Sequence, residues 1–257
     1  MLRPRSRLMS VIVLWCAVTG ARVQASEIVY SRPMMAGGGA LRNSCLWVDP
    51  AGENDSDNDS IAWADFTLSG ATTITRVRWW GQALPPLGFR LRFYNQDPNT
   101  IAVQPHIVGE GAGPISTEYF ASPATTAIGG GLFEYSVDLG LPLTCDAETR
   151  YFVSIVGLTP QYSAQWGWAQ GSGPGWTFWW NRGMSMYFLI AGARAFELEA
   201  PACTGDLDGT GNVDFADLLQ LLGAWGPCAQ CGADIDGSGA VEFNDLVTML
   251  GAWGRCP

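Results

Sequence analysis

The chain has 257 residues and a formal net charge of −10, and all fourteen of its basic residues are arginine. An acidic chain without lysine lacks the basic surface that binds a phosphate backbone, which excludes nucleic acid as a partner. The length suits one ordinary globular domain and a second, smaller one.

Residues 1–25 have the layout of a secretory signal peptide. Three arginines precede an apolar run at 8–18, and residues 23–25 offer a small-residue cleavage site. The run is shorter than a membrane helix, and no other stretch reaches about 18 consecutive apolar residues. We expect a secreted, extracellular or cell-surface protein with no membrane span in the mature chain; an uncleaved anchor is the alternative.

Residues 26–200 are predicted to form a mainly β domain. The segment FRLRFYN (89–95) places Phe89, Leu91 and Phe93 on one face and Arg90, Arg92 and Tyr94 on the other. Further strands are predicted at 62–68, 73–80, 133–139, 151–157, 164–170, 185–191 and 194–199. Such alternation without helices predicts an antiparallel β-sandwich of the jelly-roll kind. The pattern is similar to carbohydrate-binding-module-like domains of exported bacterial proteins.

Five tryptophans between positions 164 and 183 are candidates for binding a polysaccharide. Indole rings stack on the CH faces of sugars when they are exposed, and they fill the core when they are not. Trp179 and Trp180 point to opposite faces if the chain is extended, so core packing alone does not account for both. The candidates are Trp166, Trp168, Trp176, Trp179 and Trp180.

No catalytic residue is predicted in this domain, because His106 stands alone and no nucleophile–base motif is visible. A polysaccharide-degrading glycoside hydrolase remains an alternative, since it needs only two carboxyl groups across a cleft. A structural cell-surface protein is the third possibility. The available glutamates are Glu53, Glu110, Glu118, Glu134 and Glu148.

The segment ENDSDNDS imitates the start of a calcium loop through Asp55, Asp57 and Asp59. Ser60 stands where the turn glycine of such a loop belongs, and Phe66 stands at its twelfth position. We interpret the segment as a solvated loop, with an irregular calcium site as the alternative.

The C-terminal domain, residues 201–257, contains a duplication. Residues 206–228 and 234–256 align at a period of 28, with fourteen of twenty-three positions identical. Each copy reads as a 12-residue calcium loop followed by a helix, since its oxygen-bearing residues have the spacing that surrounds one cation. Gly211 and Gly239 occupy the sixth position, where the loop turns sharply.

The duplication therefore predicts two calcium ions. Loop positions 1, 3, 5, 7, 9 and 12 are Asp206, Asp208, Thr210, Asn212, Asp214 and Asp217 in the first copy, and Asp234, Asp236, Ser238, Ala240, Glu242 and Asp245 in the second. Position 7 binds through its backbone carbonyl, so both Asn212 and Ala240 suit it. Because hydroxyls replace carboxylates at position 5, we expect calcium affinity in the weaker, extracellular range.

Apolar residues follow each loop at helical spacing, and we expect the two stripes to pack face to face in a small all-α domain. The stripes are Phe215, Leu218, Leu219, Leu222 and Trp225 in the first copy, and Phe243, Leu246, Val247, Leu250 and Trp253 in the second.

The motif D-x-D-G-x-G-x-V-x-F-x-D-L, present in both copies, resembles the type I dockerin module. The resemblance implies calcium-dependent attachment to a cohesin-type partner within an extracellular assembly that is related to polysaccharide. It also implies that residues at loop positions 10 and 11 contact the partner. These are Phe215, Ala216, Phe243 and Asn244, where well-known dockerins have small hydroxyl residues.

Six cysteines remain after position 25, which in an exported chain predicts three disulfides. Four flank the repeats, which leaves Cys45 and Cys145 as the pair in the front domain. If the helices lie antiparallel, Cys203 meets Cys256 and Cys228 meets Cys231. One bridge within each repeat is the alternative.

Overall fold

The structure, a computed structural model, describes residues 26–48, 58–160, 165–228 and 231–256. The predicted signal peptide, Glu53, Asp55 and Asp57 lie outside the described residues. Within those four ranges, no helix is long and apolar enough to cross a membrane.

The protein is mainly β. The strands are β1 (Ser26–Arg32), β2 (Arg42–Asn43), β3 (Cys45–Trp47), β4 (Ser60–Thr67), β5 (Thr72–Gln82), β6 (Phe89–Asn95), β7 (Ser116–Phe120), β8 (Ala124–Gly129), β9 (Leu132–Cys145), β10 (Arg150–Thr159), β11 (Gly167–Trp168), β12 (Trp176–Asn181), β13 (Met186–Ala191), β14 (Phe196–Pro201), β15 (Asn212–Val213), β16 (Gly226–Pro227), β17 (Ala240–Val241) and β18 (Gly254–Arg255). The helices are α1 (Phe215–Gly223) and α2 (Phe243–Gly251), and a short 3₁₀ turn spans Ala36–Gly38.

Two seven-stranded sheets make up the front domain. Sheet I has the order β1-β14-β5-β11-β2, and the long strand β5 also pairs with β9, which pairs with β8. Sheet II has the order β13-β12-β4-β3-β10-β6-β7. The pairings are antiparallel except that β3 runs parallel to β10. The coarse prediction of an antiparallel mainly β domain is therefore confirmed.

The inner faces of the two sheets share one aromatic core. Alternation in β6 buries Phe89, Leu91 and Phe93, and these side chains pack with Trp79 of β5 and Trp166. Trp79 and Phe89 meet edge to face with ring centroids 5.0 Å apart. The inner face of sheet II is thus closed by sheet I, and its outer face carries Arg90, Arg92 and Tyr94, as the period of a strand requires.

The predicted strands match the structure unevenly. The segment 89–95 coincides with β6, whereas 164–170 contains only the two-residue strand β11 within its described part. The short strands β2 and β3 and the longer strands β1, β7, β8 and β12 were not predicted. The sequences of the longer ones alternate weakly or, in β12, are aromatic on both faces.

The expectation of an all-α C-terminal domain was wrong. Its helices are only nine residues each, and the rest is loop with two short ladders. Asn212 pairs with Arg255, and Ala240 pairs with Pro227. Each loop is therefore joined by backbone hydrogen bonds to the segment that follows the other repeat's helix.

The two predicted stripes do not pack face to face. The core of this domain consists of Val213, Leu221, Ala233, Val241 and Met249, with Leu218 and Leu246 packed beside it. Most of the stripe residues are exposed instead: Phe215, Leu219, Leu222 and Trp225 on α1, and Phe243, Val247, Leu250 and Trp253 on α2. Asp217 and Asp245 face inward to bond the loops, and this fixes the rotation of each helix.

Disulfides join Cys203 to Cys256, with Cα atoms 5.4 Å apart, and Cys228 to Cys231, with Cα atoms 5.7 Å apart. These are the pairs that antiparallel helices predict.

The predicted Cys45–Cys145 bridge does not form; both side chains are buried thiols. Cys45 pairs with Gly157 near the end of β10, whereas Cys145 adjoins Asp146, whose N–H donates to Tyr151 Oη at the start of that strand. Six residues of strand span about 20 Å. A disulfide needs Cα atoms within about 7 Å, so the two thiols cannot meet.

Candidate metal centres and an aromatic cavity

The first candidate metal centre is the loop between Asp206 and Asp217. One carboxylate oxygen from each of Asp206, Asp208 and Asp217 lies within 4.8 Å of the other two. Residues at positions 1, 3 and 12 meet because the chain turns at Gly211, whose φ of 82° suits glycine. The loop thus concentrates three acids around one point.

Backbone N–H groups hold the carboxylates in place. Oδ1 of Asp206 accepts from the N–H groups of Gly209 (2.9 Å) and Thr210 (3.1 Å), and its Oδ2 accepts from Gly211 (2.8 Å). Oδ1 of Asp217 accepts from Leu207 at 2.7 Å. The loop is therefore folded around its acids by charge-assisted hydrogen bonds.

The second loop repeats this geometry. Asp234, Asp236 and Asp245 bring their carboxylate oxygens within 4.8 Å of one another. Oδ1 of Asp245 accepts from Ile235 at 2.7 Å, and Oδ2 of Asp234 accepts from Gly239 at 2.8 Å. The 28-residue period of the sequence thus becomes two equivalent constellations.

Positions 5 and 7 add neutral oxygens on the same side of each loop. The Ser238 hydroxyl lies 3.0 Å from the carbonyl oxygen of Ala240, and the Thr210 hydroxyl lies 3.4 Å from that of Asn212. A hydroxyl and a carbonyl beside three carboxylates are the hard oxygen donors that calcium prefers.

Position 9 has a different role in the structure. The Asp214 side chain accepts a hydrogen bond from the N–H of Ala216 at 2.8 Å and caps α1. Its carboxylate is therefore turned toward the helix, in keeping with a position that reaches a cation through water. Glu242 stands at the same place before α2.

The position 12 carboxyls stay ionised although they are fully buried. Burial tends to raise the pKa of Asp217, but hydrogen bonds from the backbone N–H groups of Asp214, Leu207 and Asp208 outweigh it. The net pKa lies below the ordinary value of 3.8, and the same balance lowers the pKa of Asp245. The position 12 carboxylate of each loop therefore stays charged at neutral pH, which suits a divalent cation.

The two loops differ in their surroundings. The carbonyl oxygen of Thr210 lies so close to Gly70 that a Cβ there would approach it to 3.3 Å, and Gly211 faces the carbonyl of Ala71. Burial, and after it the negative charge of Asp206, raises the pKa of Glu27 in β1. The first loop thus lies against the turn before β5 in the front domain.

The residues predicted to contact a partner are all exposed. Phe215 and Phe243 are 63% and 68% exposed, and Ala216 and Asn244 are exposed beside them. Sequence reasoning missed that the apolar surface continues along both helices, through the exposed stripe residues that end at Trp225 and Trp253.

Three of the five candidate tryptophans belong to the core and cannot stack on a sugar. Trp166 and Trp168 are fully buried, and the indole N–H of Trp168 donates to the Ala195 carbonyl at 2.8 Å. Trp179 is also buried, and its N–H donates to Asn43 O at 2.7 Å. Their inward position follows from strand alternation against a core wide enough for indole rings.

Trp176 and Trp180 remain accessible on the outer face of sheet II. Trp176 is half exposed, while Trp180 lines a cavity of about 280 Å³ between this face and the chain around Ile107. We call this space the outer-face cavity. Trp63 of β4, Tyr94 of β6 and Tyr187 of β13 also line it.

The aromatic rings of this cavity contact one another. The centroid of Trp63 lies 6.3 Å from that of Tyr94 and 6.5 Å from that of Tyr187, and Phe178 stacks on Tyr187 at 5.5 Å. The sequence carries a signal for this aromatic lining. Trp63 and Tyr94 fall on the face of their strands opposite the core residues, where polar side chains are usual.

The glutamates considered for hydrolysis are held in structural roles. Glu118 of β7 accepts from the N–H of Gly140 at 2.7 Å, and Glu134 of β9 accepts from Trp80 Nε1 at 3.2 Å. These two strands belong to different sheets. Glu148 sits at a turn with φ of 53°, and Glu110 is exposed in the segment between β6 and β7.

Of the three acids before β4 that imitate a calcium loop, only Asp59 lies within the described residues. Asp59 is buried, and its carboxylate accepts a hydrogen bond from the N–H of Trp47 at 2.9 Å. It ties β3 to the start of β4.

Comparison with known proteins finds no matching family model, no matching curated protein and no matching solved structure.

Proposed function

We propose that this is an exported, non-catalytic protein whose two C-terminal repeats each bind one calcium ion and attach the chain to a cohesin-type partner. In this proposal the front domain, a β-sandwich of jelly-roll kind, contacts polysaccharide. The observation that carries the proposal is the pair of matching carboxylate triads, each held within 4.8 Å by its loop. The resemblance of the duplicated motif to type I dockerins supplies the class of partner.

Calcium would supply the positive charge around which each loop closes. The fit rests on the donor set: three carboxylates, one hydroxyl and one backbone carbonyl per loop, with the position 12 acid buried and ionised. Calcium accepts six to eight such oxygens, so water completes the shell.

The exposed stripes support attachment to a protein partner. Each helix presents four large apolar residues at the same spacing, and most of them are about half exposed or more. A continuous apolar surface of this kind marks an interaction site in an otherwise polar module. Because the stripes are duplicated, either repeat can present an equivalent surface to the partner.

Calorimetric titration of the chain 26–257 with CaCl₂ tests the metal part. We expect two ions to bind, with dissociation constants on the order of 10⁻⁴–10⁻³ M as in extracellular modules. Asp206→Ala and Asp234→Ala should each remove one ion, whereas Asn244→Ala should leave both. Absence of calcium binding at millimolar concentration would overturn the proposal.

Immobilised type I cohesin modules test the partner part. Binding should require calcium and vanish in EGTA. The double variant Trp225→Ser/Trp253→Ser should abolish it, while each single variant retains most of it because the other stripe remains. Gln220→Ala, on the exposed surface of the same helix outside the stripe, is the matched control. Calcium binding without cohesin binding would retain the metal site and reject the partner.

A polysaccharide panel tests the front domain, with retention and released reducing sugar scored in the same tubes. Retention without release supports a binding protein, whereas release of sugar favours the hydrolase alternative. We expect retention to be lost in Trp180→Ala and kept in Trp176→Ala.

A further inference from the structure

The outer-face cavity combines an aromatic wall with hydrogen-bond donors that lack acceptors. Trp63 is almost fully buried, and its Nε1 has no hydrogen-bond partner within the described chain. The same holds for Nε of Arg92, which lines the same cavity. Both of these nitrogen atoms are closed off from solvent, so the contact that the cavity offers to a ligand is the remainder of the Arg92 guanidinium together with the aromatic wall.

The cavity is also a cationic spot in an acidic protein. Arg90 and Arg92 lie two residues apart on β6 and share its outer face. The ion pairs found among the described residues use Arg32, Arg76, Arg78 and Arg150, and neither arginine of this pair. Burial and then the positive charge of Arg92 lower the pKa of Arg90. An anion placed here would relieve that repulsion.

The acidic side chains near the cavity already have partners elsewhere. Asp97 follows β6; its Oδ1 accepts from the N–H of Asn99 at 2.9 Å, and its Oδ2 accepts from Gln104 at 2.9 Å. Asp65 of β4 pairs with Arg150 at 3.6 Å and with Arg32 at 3.7 Å. Neither acid is recorded in an ion pair with Arg90 or Arg92, which leaves the cavity complementary to an external anion.

We propose that the outer-face cavity binds a uronic acid unit of an acidic polysaccharide. The sugar ring packs its CH face against Trp180 and Tyr187, and its carboxylate pairs with the guanidinium of Arg92, which lines the cavity. A volume of about 280 Å³ lies at the lower end of ligand pockets and admits a single sugar unit rather than a long segment. This inference rests on the proposed polysaccharide role of the front domain and specifies its substrate class.

Calorimetry with hexagalacturonate and with its methyl ester tests the proposal, using the chain 26–257 in calcium-containing buffer. The two oligomers share a backbone and differ in charge. We expect the acid to bind at least about tenfold more tightly than the ester, because only the acid forms a charged pair with Arg92. Its affinity should fall as NaCl rises, because salt screens that attraction.

Matched variants assign binding to the cavity. Arg92→Gln and Trp180→Ala should each weaken binding of the acid about tenfold or more. Arg255→Gln removes the same charge from the C-terminal domain, and Trp176→Ala removes an indole from the same face of the same strand; both should bind as the unsubstituted chain does. Tyr187→Ala, on the edge strand and half exposed, provides a second aromatic variant if Trp180→Ala fails to fold.

Three results would overturn the proposal. Equal affinity for the acid and the ester would remove the charge selection. Unchanged binding by Arg92→Gln would place the acid elsewhere, for instance on calcium held by the C-terminal loops. Absence of binding to hexagalacturonate, together with retention on a neutral polymer in the panel, would reject the uronic acid and keep the polysaccharide role; no binding to either would reject both.

Discussion

The front domain and the C-terminal domain are held together by different means. The front domain encloses a continuous core of large side chains, with Trp79, Trp166, Trp168 and Phe196 all fully buried between its sheets. The C-terminal domain buries five small or medium apolar residues and, beside them, the carboxylates of Asp217 and Asp245. Two disulfides close it. A module of about fifty residues buries little apolar surface alone, so the two covalent bridges supplement its small core.

Acidic residues are therefore found in two different environments in this chain. In the front domain the acids are matched: Glu199 pairs with Arg78 at 2.8 Å. In the loops, three carboxylates converge without an arginine recorded beside them in the described residues. Only the second arrangement leaves carboxylates that the proposed calcium ion would neutralise.

The largest expected effect is on the front core. Trp168→Ala should lower the free energy of unfolding by about 3–5 kcal/mol, since it opens a cavity the size of an indole and removes the hydrogen bond to Ala195. Denaturant unfolding followed by far-UV circular dichroism measures it. Trp176→Ala, on an exposed side chain, is the control. A loss confined to ligand binding, with stability unchanged, would contradict the core assignment.

The next effect concerns the bridge between the ends of the C-terminal domain. Cys203 and Cys256 are separated by 53 residues, and Cys228 and Cys231 by three. In the chain-entropy account the longer loop contributes about 4 kcal/mol and the shorter one under about 2 kcal/mol. Hydrogen exchange of peptides from 206–256 should therefore accelerate more in Cys203→Ser/Cys256→Ser than in Cys228→Ser/Cys231→Ser. Equal acceleration would argue against loop closure as the cause.

A smaller effect is expected from Asp245→Ala without calcium. The N–H groups of Ile235, Asp236 and Glu242 lose their acceptor, which costs about 1–3 kcal/mol within the C-terminal domain. With calcium, calorimetry should count one ion instead of two. The second loop is the better test because the first also contacts the front domain. Asn244→Ala should change neither quantity.

The smallest expected effect concerns Cys45 and Cys145, whose thiols should not react with an alkylating reagent in the folded protein. Burial raises the pKa of Cys45 to about 11 and that of Cys145 to about 12, so at pH 8 both thiols are protonated and shielded. Iodoacetamide should label the peptides that contain them only after denaturation. Peptides with the C-terminal cysteines should need reduction as well. Labelling of Cys145 only after reduction would restore the predicted bridge.

The sequence alone determined the features that depend on local spacing. The 28-residue period and the oxygen-bearing residues of each loop define two constellations before any contact is known, because all the ligands lie within twelve residues. Alternation in β6 likewise separated its core face from its outer face. Calcium and cohesin binding remain predictions.

Which side chains are buried and which cysteines pair depends on residues far apart in the sequence, and these features became known only from the packed structure. Trp166, Trp168 and Trp180 look alike in the sequence, and only the packing of sheet I against sheet II buries the first two. Cys45 and Cys145 looked like partners by elimination, yet they lie at opposite ends of β10. Periodicity predicted that the helix stripes face inward. In the structure the position 12 carboxylates face inward instead, and the stripes therefore lie on the surface. In each case the competing faces are equally apolar in sequence, and the choice is made by contacts that form only when distant segments pack together.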